Sequence, residues 1–462
     1  MGTGQAYTSI EAAIDAAEPG DTIDISPGIY EEDALIIDGL DGLSLQGAGS
    51  DTVIIKRNSG NRGLTVTDAD GVTLQGFTLR DTPEGSFGFK LQYATDLSLR
   101  DIRAVDNGRN GIDLNTTNDV TMRDVESHKN AGVGIGIRNA DGVRIHGART
   151  SGNDWGGIAL WAKGNETLTD LTVRNSTFTN QTVGIYTEHD GVFRDILLHN
   201  NTFIDNTVGV LNDGAEVDVR NSVFELGGTR VDASNHYVVF TNGATGSIRS
   251  NTGEGAHRIG IFVHGEDTDA FVHGNEIIGL GKAAVGSTQN GIQIGEGSTA
   301  EVRNNRISSH WFAPRPAATG ILINDSDGVT VSRNQINDCQ VGIAIAAFWD
   351  SHATGNTIHG NVVHDAVLGI SMQAVTDREV DDAVITDNVV TDNVLNSHNG
   401  GWVGISKISA DDQMHYFDDN RYVRNKIHGF DTSIGKILYF QGTIGDFDVD
   451  ALERNVVTPA NT

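Results

Sequence analysis

The sequence predicts an all-β chain that forms a single parallel β-helix, a solenoid of about 13 to 14 coils with a short N-terminal capping helix. Two observations predict it. A Gly-Ile-x-Leu-like tetrapeptide recurs through the chain, and most copies are followed by two more short strands, with no helical periodicity beyond the N-terminus. The 57 glycines and only 6 prolines suit many short strands joined by tight turns.

The recurring tetrapeptide defines which side chains face solvent. Residues 111–114 read Gly-Ile-Asp-Leu, 134–137 read Gly-Ile-Gly-Ile, and 157–160 read Gly-Ile-Ala-Leu, a spacing of about 23 residues that is typical of solenoid repeats. Because side chains alternate along a strand, Ile and Leu point inward and stack on the copies above and below. The x residue and the residue two beyond it therefore face outward.

The corners and ends of the solenoid have their own signals. Residues 7–17 read as a short amphipathic helix, and we expect a cap over residues 1–40, the β-helix over 41–440 and a closing segment over 441–462. Asparagines at the second corner of the coil are expected both to adopt the left-handed conformation and to form a stacked amide ladder. They are Asn175, Asn201, Asn221, Asn275, Asn305, Asn334 and Asn388.

The N-terminal segment resembles that of a known superfamily. Residues 7–17 read YTSIEAAIDAA, residues 19–23 PGDTI and residues 27–32 PGIYEE, and the repeats follow. This pattern is similar to the start of the pectin-lyase-like right-handed parallel β-helix proteins, and the resemblance covers essentially the whole chain. It implies the right-handed fold. The catalytic motif sets of polygalacturonases, the main pectate lyases and alginate C5-epimerases are missing, so it does not select one activity.

Charge and composition exclude several classes of partner. The formal net charge of −30 argues against nucleic acid, because phosphate binding requires a basic surface. The sequence has no apolar run of about 18 residues, so no membrane span is expected. The single cysteine, Cys339, cannot form an intrachain disulfide. An acidic surface suits a salt-rich or calcium-rich medium, and we expect an extracellular, secreted protein, although residues 1–5 do not read as a signal peptide.

The outward positions concentrate cations, carboxylates and aromatic rings between Lys90 and Asp213, whereas the later coils carry blander residues. Swollen corners in the second half of the chain offer a competing wall. The candidate catalytic residues are Asp113, Arg138, Tyr186, Glu188 and His189, and the candidate substrate-binding residues are Lys90, Asn115, Trp161, Asp213, His264, Trp311 and Arg315.

These residue types suit an anionic polysaccharide, because an indole offers a flat face to a sugar while Lys90 and Arg138 pair with carboxylates. In a lyase or C5-epimerase, a cation acidifies the C5 proton of a uronate, a base removes it, and Tyr186, His189 or His264 supplies a proton. Hydrolysis by a carboxylate pair is an alternative. So is a non-catalytic surface, tail-fibre or polysaccharide-binding β-helix. The corner formed by residues 188–190 is a possible Ca²⁺ site.

A second outward stripe ends the middle strand of many coils. Its members are Arg100, Arg123, His146, Arg174, His199, Arg220, His273 and Arg303. An Asp or Asn follows or approaches each of them, so we expect structural pairing within the stripe, with polyanion binding as the alternative.

Overall fold

The computed structural model describes residues 6–57, 63–188, 190–226, 235–256, 258–282, 288–312, 317–348, 351–375, 383–409, 417–438, 444–445, 452–453 and 455–458. Apart from one short helix, the regular secondary structure of this part is all β-strand, and it forms a right-handed parallel β-solenoid of about 13 turns. The predicted fold class is therefore confirmed. The chain divides into two compact units, Met1–Val223 (unit 1) and Phe224–Thr462 (unit 2).

Unit 1 opens with the predicted helix, α1 (Ile10–Asp15), whose N-cap Ser9 accepts a hydrogen bond from the Ala12 amide. The buried Glu32 carboxylate accepts a hydrogen bond of 2.7 Å from the Ile10 amide at the start of the helix. The strands of unit 1 are β1 Thr22–Ile25, β2 Gly28–Glu32, β3 Leu35–Asp38, β4 Ser44–Gly47, β5 Val53–Arg57, β6 Leu64–Thr67, β7 Thr73–Arg80, β8 Phe89–Val105, β9 Ile112–Arg123, β10 Glu126–His128, β11 Val133–Asp141, β12 Arg144–His146, β13 Arg149–Ser151, β14 Gly156–Trp161, β15 Thr167–Arg174, β16 Thr177–Thr179, β17 Val183–Thr187, β18 Val192–His199, β19 Thr202–Ile204, β20 Val208–Asp213 and β21 Glu216–Arg220.

These strands form three parallel faces in unit 1. The first face runs β3–β6–β8–β9–β11–β14–β17–β20, the second β4–β7–β8–β9–β12–β15–β18–β21, and the third β2–β5–β7–β8–β10–β13–β16–β19. The long strands β8 and β9 bend from one face to the next. The Gly-Ile-x-Leu motif supplies the first face, as the repeat analysis implied.

Each coil buries its apolar residues against the coils on either side. Ile112, Leu114, Ile158 and Leu160 are fully buried, so the inward half of the motif is confirmed. On the third face, the rings of Phe178 and Phe203 stack with centroids 4.9 Å apart, close to the ~4.8 Å that separates hydrogen-bonded strands. Like residues therefore pack on like residues from coil to coil.

The motif glycine is required by close approach and not by an unusual φ. A Cβ added to Gly134 would lie 2.7 Å from the Gly157 carbonyl oxygen, and one added to Gly320 would lie 2.7 Å from that of Gly342. Neither glycine has a positive φ. In the coils that carry the motif glycine, the first strand thus passes too near the next coil to carry a side chain at this position.

The sequence analysis gave each corner asparagine two roles, and in the structure these roles belong to two different residues. Asn175 and Asn221 have positive φ (51° for both) and are exposed, so placing them in the amide ladder was wrong. The ladder belongs to the next residue along the chain: the amide of buried Asn275 donates to Asn305 at 3.0 Å, and that of Asn305 donates to Asn334 at 2.9 Å. One residue turns the corner, and its neighbour satisfies buried backbone groups.

Unit 2 repeats this architecture. Its first face runs β23–β26–β29–β32–β35–β39–β42–β45, and a separate three-stranded sheet pairs β36, β40 and β43. Most of the predicted closing segment, 441–462, lies outside the described residues. The strands from residue 223 onward are β22 Val223–Glu225, β23 His236–Thr241, β24 Thr245–Arg249, β25 Thr252–Glu254, β26 Ile259–His264, β27 Asp269–His273, β28 Glu276–Ile278, β29 Asn290–Gly295, β30 Thr299–Arg303, β31 Arg306–Ser308, β32 Thr319–Asn324, β33 Thr330–Ser332, β34 Gln335–Asn337, β35 Val341–Phe348, β36 His352–Thr354, β37 Thr357–His359, β38 Val362–His364, β39 Leu368–Val375, β40 Val384–Thr386, β41 Val389–Thr391, β42 Val394–Ser409, β43 Phe417–Asp418, β44 Arg421–Val423, β45 Lys426–Leu438, β46 Ile444–Gly445, β47 Leu452–Glu453 and β48 Val456–Thr458.

Candidate functional site

Two columns of outward side chains run along the first face of unit 1. In the first column, Lys90 pairs in register with Asp113, and Asp113 with Gly136; Ala159 and Tyr186 continue it. The second column carries Gln92, Asn115, Arg138 and Trp161, in that order. The predicted phase of the motif is confirmed for the larger side chains, because Asp113 and Tyr186 are only partly buried and Arg138 is exposed, whereas the alternate residues such as Leu114 are fully buried.

The two columns form the floor of one cleft. It has a volume of about 660 Å³ and brings six of the predicted residues together. They are Lys90, Asp113, Asn115, Arg138, Trp161 and Glu188. The remaining lining residues are Phe87, Arg109, Asn110, Ala131, Gly132, Val133, Trp155, Ala162 and Lys163.

Asp113 is the titratable group whose pKa the cleft changes most clearly. It is half-buried, and its Oδ1 accepts a 2.7 Å hydrogen bond from the side-chain amide of Asn110. Burial raises the pKa of Asp113 to about 6, while that hydrogen bond and the charges of Arg109, Lys90 and Arg138 pull it back. The carboxylate is therefore a stronger base than an ordinary aspartate and is still ionised at neutral pH.

Trp161 forms an aromatic pair with Tyr186, and its indole extends toward Asp113. The indole Nε1–H donates to the Tyr186 hydroxyl at 2.9 Å, and the rings meet edge to face, 6.1 Å apart at 78°. Burial raises the pKa of Tyr186, with a further contribution from Glu188. The indole lies over Gly136, where an added Cβ would sit 2.6 Å from Trp161 Cζ3 and 2.9 Å from Asp113 Oδ1. The missing side chain at 136 thus makes room for both groups.

Arg138 is held by a carboxylate that the sequence analysis did not single out. Its Nε and Nη2 donate to the two oxygens of Glu166, each at 2.8 Å. This bidentate bond raises the pKa of Arg138 and lowers that of Glu166. The Lys163 amide also donates to Glu166, at 3.0 Å. Arg138 is therefore fixed in place at the wall of the cleft, with part of its charge already compensated.

The cleft residues that the sequence analysis missed come from the corners before the first face. Arg109 and Asn110 directly precede the motif glycine of their coil, and Phe87 and Trp155 stand just before theirs. The Arg109 guanidinium lies 4.4 Å from the centroid of the Phe87 ring. Trp155 is 67% exposed, which is unusual for an indole. An aromatic or cationic residue just before the motif glycine could have been recognised from the sequence as a candidate cleft residue.

Other predicted residues lie elsewhere. Asp213 belongs to unit 1, but it does not line the cleft. In unit 2, the His264 ring stacks on Phe262 at 4.0 Å, with its Nδ1 3.0 Å from Glu296, while Trp311 donates from Nε1 to the Asp338 carbonyl oxygen at 2.7 Å. Both side chains thus have local packing roles. His189 and Arg315 lie outside the described residues.

A metal centre finds no support in the part of the chain that the structure describes. No three His, Cys, Asp or Glu side chains gather there in an arrangement that could hold an ion. Glu188 and Asp190, the described residues of the predicted Ca²⁺ corner, belong to no such group. We derive no step through a metal. Among the same residues, no helix combines the length and apolarity that crossing a bilayer requires.

Two family models match the chain. One, described as right handed beta helix region, matches residues 236–433, and the other, described as periplasmic copper-binding protein (NosD), matches residues 14–225. The chain is a right-handed parallel β-helix protein. The resemblance seen in the sequence is thereby confirmed at the level of the fold. No curated protein matches this β-helix chain at a significant level.

Several solved structures are similar to this β-helix protein in fold. The catalytic unit of a GH87 α-1,3-glucanase from Streptomyces thermodiastaticus is 14% identical (TM-score 0.38), with 92% of this chain and 65% of the glucanase unit covered, so the chain spans about two thirds of that unit. A mannuronic acid specific polysaccharide family 6 lyase from human gut microbiota is 11% identical (TM-score 0.40), with 92% of this chain and 90% of the lyase covered. The gene product 12 N-terminal fragment of bacteriophage Phi29 is also 11% identical (TM-score 0.42), with 99% of this chain and 95% of the fragment covered. At these scores none carries an argument about activity.

Proposed function

We propose that the cleft of unit 1 binds a segment of a uronate-containing, anionic polysaccharide and that the protein acts on it as a lyase or a C5-epimerase. The charge of the cleft carries this proposal. Four cationic side chains and two carboxylates line it, in a chain whose formal net charge is −30. Cations next to exposed indoles in one concave surface suit a sugar polymer that bears carboxylates. The four cations are Lys90, Arg109, Arg138 and Lys163.

Asp113 is the base in this proposal. A uronate loses its C5 proton more readily when cations neutralise its carboxylate, because the negative charge that develops on deprotonation is then stabilised. The charges of Arg109, Lys90 and Arg138 all act on the Asp113 carboxyl, so a substrate carboxylate bound beside Asp113 meets the same field. A base with a pKa of about 6 combines ionisation at neutral pH with useful basicity.

Lys90 is the proposed acid. Lys90 and Asp113 are register partners on adjacent strands, about 4.8 Å apart along the solenoid, and can flank one sugar. In a lyase, Asp113 takes the C5 proton, the C4–O4 bond breaks, a C4–C5 double bond forms and Lys90 protonates the leaving oxygen. In an epimerase, the C4–O4 bond stays intact and a proton returns to C5 from the opposite face.

Tyr186 has a different role in this arrangement from the one expected of it. Tyr186 lies three strands from Asp113 in the same column, about 14 Å along the solenoid, and the Trp161 indole comes between them. Tyr186 therefore orients Trp161, whose face receives the sugar, and does not itself protonate the substrate.

Distance also disfavours the hydrolytic alternative. Glycoside hydrolysis needs two carboxyl groups about 5 to 9.5 Å apart. Glu188 directly follows the strand of Tyr186, so its backbone lies more than about 14 Å from that of Asp113, and both side chains would have to extend toward each other to reach this range. The other acid near the cleft, Glu166, is bound to Arg138.

A non-catalytic polysaccharide-binding β-helix is the second candidate function. The bidentate bond between Arg138 and Glu166 favours it, because a pre-paired arginine shapes a binding wall without contributing its full charge to catalysis. In either case we place the protein outside the cytoplasm, in the extracellular space or the periplasm. The periplasmic family whose model matches residues 14–225 supports that location.

Solvent deuterium tests the catalytic proposal. The protein is incubated in D₂O with polymannuronate, polyguluronate and polygalacturonate, and each polymer is examined by NMR for deuterium at C5 and by absorbance for unsaturated ends. We expect C5 deuterium without unsaturated ends if the protein is an epimerase, and unsaturated ends, whose C5 no longer carries a hydrogen, if it is a lyase. Below, C5 exchange stands for whichever of these two signals the unmodified protein gives. Polymers that are bound but show neither C5 deuterium nor unsaturated ends would establish the non-catalytic alternative.

A matched pair of variants assigns the chemistry to the cleft. Asp113→Asn should abolish C5 exchange while leaving the fold intact. Asp141→Asn changes an exposed aspartate on β11 whose carboxylate accepts from Thr169, and it should exchange like the unmodified protein. In the unmodified protein the rate should rise with pH through about 6, because only the ionised Asp113 accepts a proton. Exchange that survives in Asp113→Asn would remove this residue as the base.

A further inference from the structure

The second face of unit 1 carries a column of six basic side chains, one in each of six successive strands. We call it the basic column: Arg100, Arg123, His146, Arg174, His199 and Arg220. Every neighbouring pair in it is in register across the sheet. The column lies on the strand that follows the first face, so it is a different surface from the cleft floor.

The predicted structural pairing within the stripe holds for Arg303 of unit 2, whose Nη1 lies 3.1 Å from a Glu301 oxygen, and was wrong for the arginines of the basic column. None of the four arginines of the column forms an ion pair with a residue in the described part of unit 1. The residues that follow the cations turn the corner instead: Asp101, Asp124 and Asn175 have φ near +50°. The Asp101 carboxylate is used by Ser50, through both its amide and its hydroxyl.

The lack of pairing is specific to this column. Arg144, two residues before His146 on the same strand, has its Nη2 2.8 Å from an oxygen of Asp170. The same face therefore builds ion pairs one column away. In a chain with 62 acidic residues and 32 Lys and Arg, the five successive basic positions from Arg100 to His199, which have no carboxylate partner among the described residues, are far from the average surface.

The column carries an electrostatic cost that an anion would relieve. Like charges on directly opposed strand positions destabilise a sheet. Burial and the charges of Arg220 and Arg174 lower the pKa of His199, and His146 contacts the Asn175 side chain at 2.9 Å. From Arg123 to Arg220 an imidazole thus separates each arginine from the next, whereas Arg100 and Arg123 are direct neighbours.

The middle of the column is concave. A groove of about 320 Å³ is lined by Arg123, His146, Arg174 and His199, together with Arg144. An acidic groove borders it, because four carboxylates surround Arg220 and two of them lie on the strands of Arg174 and His199. These are Asp170, Asp195, Glu216 and Asp218. The basic groove therefore covers about 14 Å along the solenoid, from Arg123 to His199.

We infer that the basic column is a second binding site, which takes the anionic groups of a linear acidic polysaccharide, one group per strand, along the groove from Arg123 to His199. A basic residue every ~4.8 Å suits a polymer that presents one carboxylate or sulfate per sugar, because an extended sugar unit advances by a similar distance. The inference shares only its class of ligand with the proposed function and holds whether or not the cleft is catalytic. Such a site would keep the polymer on the protein between encounters with the cleft.

The test compares two double variants of the full chain that lose the same charge. Arg123→Gln/Arg174→Gln removes two basic-column arginines, and Arg80→Gln/Arg149→Gln removes two arginines that already pair with Asp106 and Glu126. Binding of long polymannuronate is measured by calorimetry at several salt concentrations. We expect the column variant to bind at least ten-fold more weakly, with a slope of log K against log salt that is shallower by roughly 1.5. The control variant should bind within two-fold of the unmodified protein.

Further arms separate the possible ligands and the two sites. Sodium sulfate or free glucuronate that displaces the polymer at equal anion concentration would reduce the site to a simple ion site and overturn the inference. A single-stranded DNA of matched length that binds as tightly would replace it with a nucleic-acid site. C5 exchange on short oligomers should be unchanged in the column variant. If the column variant loses polymer binding and the unmodified protein shows no C5 exchange, the second binding site is supported while the catalytic proposal fails. Equal binding by both double variants would refute the column.

Discussion

Gly136→Ala is the sharpest perturbation of the cleft that leaves the fold intact. The added methyl would sit 2.6 Å from Trp161 Cζ3 and 2.9 Å from both Asp113 Oδ1 and Asn110 Nδ2. The indole must retreat by about 0.8 Å and the two polar atoms by about 0.5 Å to regain an ordinary 3.4 Å contact. Gly136 has no positive φ, so the backbone accepts alanine without strain.

Displacements of this size affect function more than stability. A shift approaching 1 Å at a catalytic group costs up to about 10²-fold in rate, while the groups that move border an open cleft and can relax outward. We therefore expect Gly136→Ala to reduce C5 exchange by about 10- to 100-fold and to weaken oligouronate binding, with a free energy of unfolding within about 1 kcal/mol of the parent.

The assay pairs this variant with a glycine at which an added methyl requires a much smaller adjustment. Gly295→Ala adds a methyl whose nearest neighbour is the Asn324 carbonyl oxygen at 3.3 Å, on the first face of unit 2. Exchange rate, affinity and thermal midpoint are measured for both. If Gly136→Ala exchanges and binds like Gly295→Ala, the close packing of Trp161 and Asp113 over Gly136 has no functional role and the reasoning fails.

Three further predictions follow from the same contacts. The pKa of Asp113 is raised in the fold, so its stabilising contribution is complete below its unfolded pKa, near 4, and is lost as pH rises to about 6. Asp113→Asn should therefore raise the free energy of unfolding at pH 7 by on the order of 2 kcal/mol and leave it unchanged below pH 4. Denaturant titrations that show no gain at pH 7 would contradict this. Trp161→Phe and Tyr186→Phe should each weaken oligouronate binding by about 3- to 10-fold, and calorimetry of the double variant should find no additional loss, whereas additive losses would show that the hydrogen bond does not couple them. Gly320→Ala, which would place a methyl 2.7 Å from the Gly342 carbonyl oxygen, should cost about 3 kcal/mol of stability, and a thermal midpoint equal to that of Gly295→Ala would refute the close-approach explanation of the motif glycine.

Periodicity predicted the fold because each coil repeats one physical solution. Ile112, Leu114, Ile158 and Leu160 had to be inward once the motif was recognised, and the outward phase of Asp113 followed by alternation. Six of the twelve predicted site residues line one cleft for this reason. Their adjacency is a consequence of register.

The partners of those residues were not predictable in the same way. Glu166 lies 28 positions from Arg138 in the sequence, in a corner whose conformation the repeat does not specify. Trp161 and Tyr186 were both identified, but their hydrogen bond depends on rotamers, which are set by the missing side chain at Gly136. Periodicity locates columns of side chains. It does not reveal which members bind each other.

The corner residues show a second limit of repeat-based reasoning. Asn175 and Asn305 read alike in the sequence, yet one adopts the left-handed conformation and the other forms the buried ladder. Both behaviours suit asparagine, and only the position relative to the strand end separates them. The same ambiguity made an ion pair between Arg100 and Asp101 plausible, although Asp101 instead binds Ser50.

A crystal structure of Asp113→Asn soaked with an oligouronate is the most direct test of the central claim, that the outward columns of the first face form a uronate-binding cleft. The account predicts a sugar ring against the Trp161 indole and a neighbouring uronate carboxylate within hydrogen-bonding distance of Lys90, Arg109 or Arg138. A saturating ligand that leaves this cleft empty, or that binds only to unit 2, would contradict it.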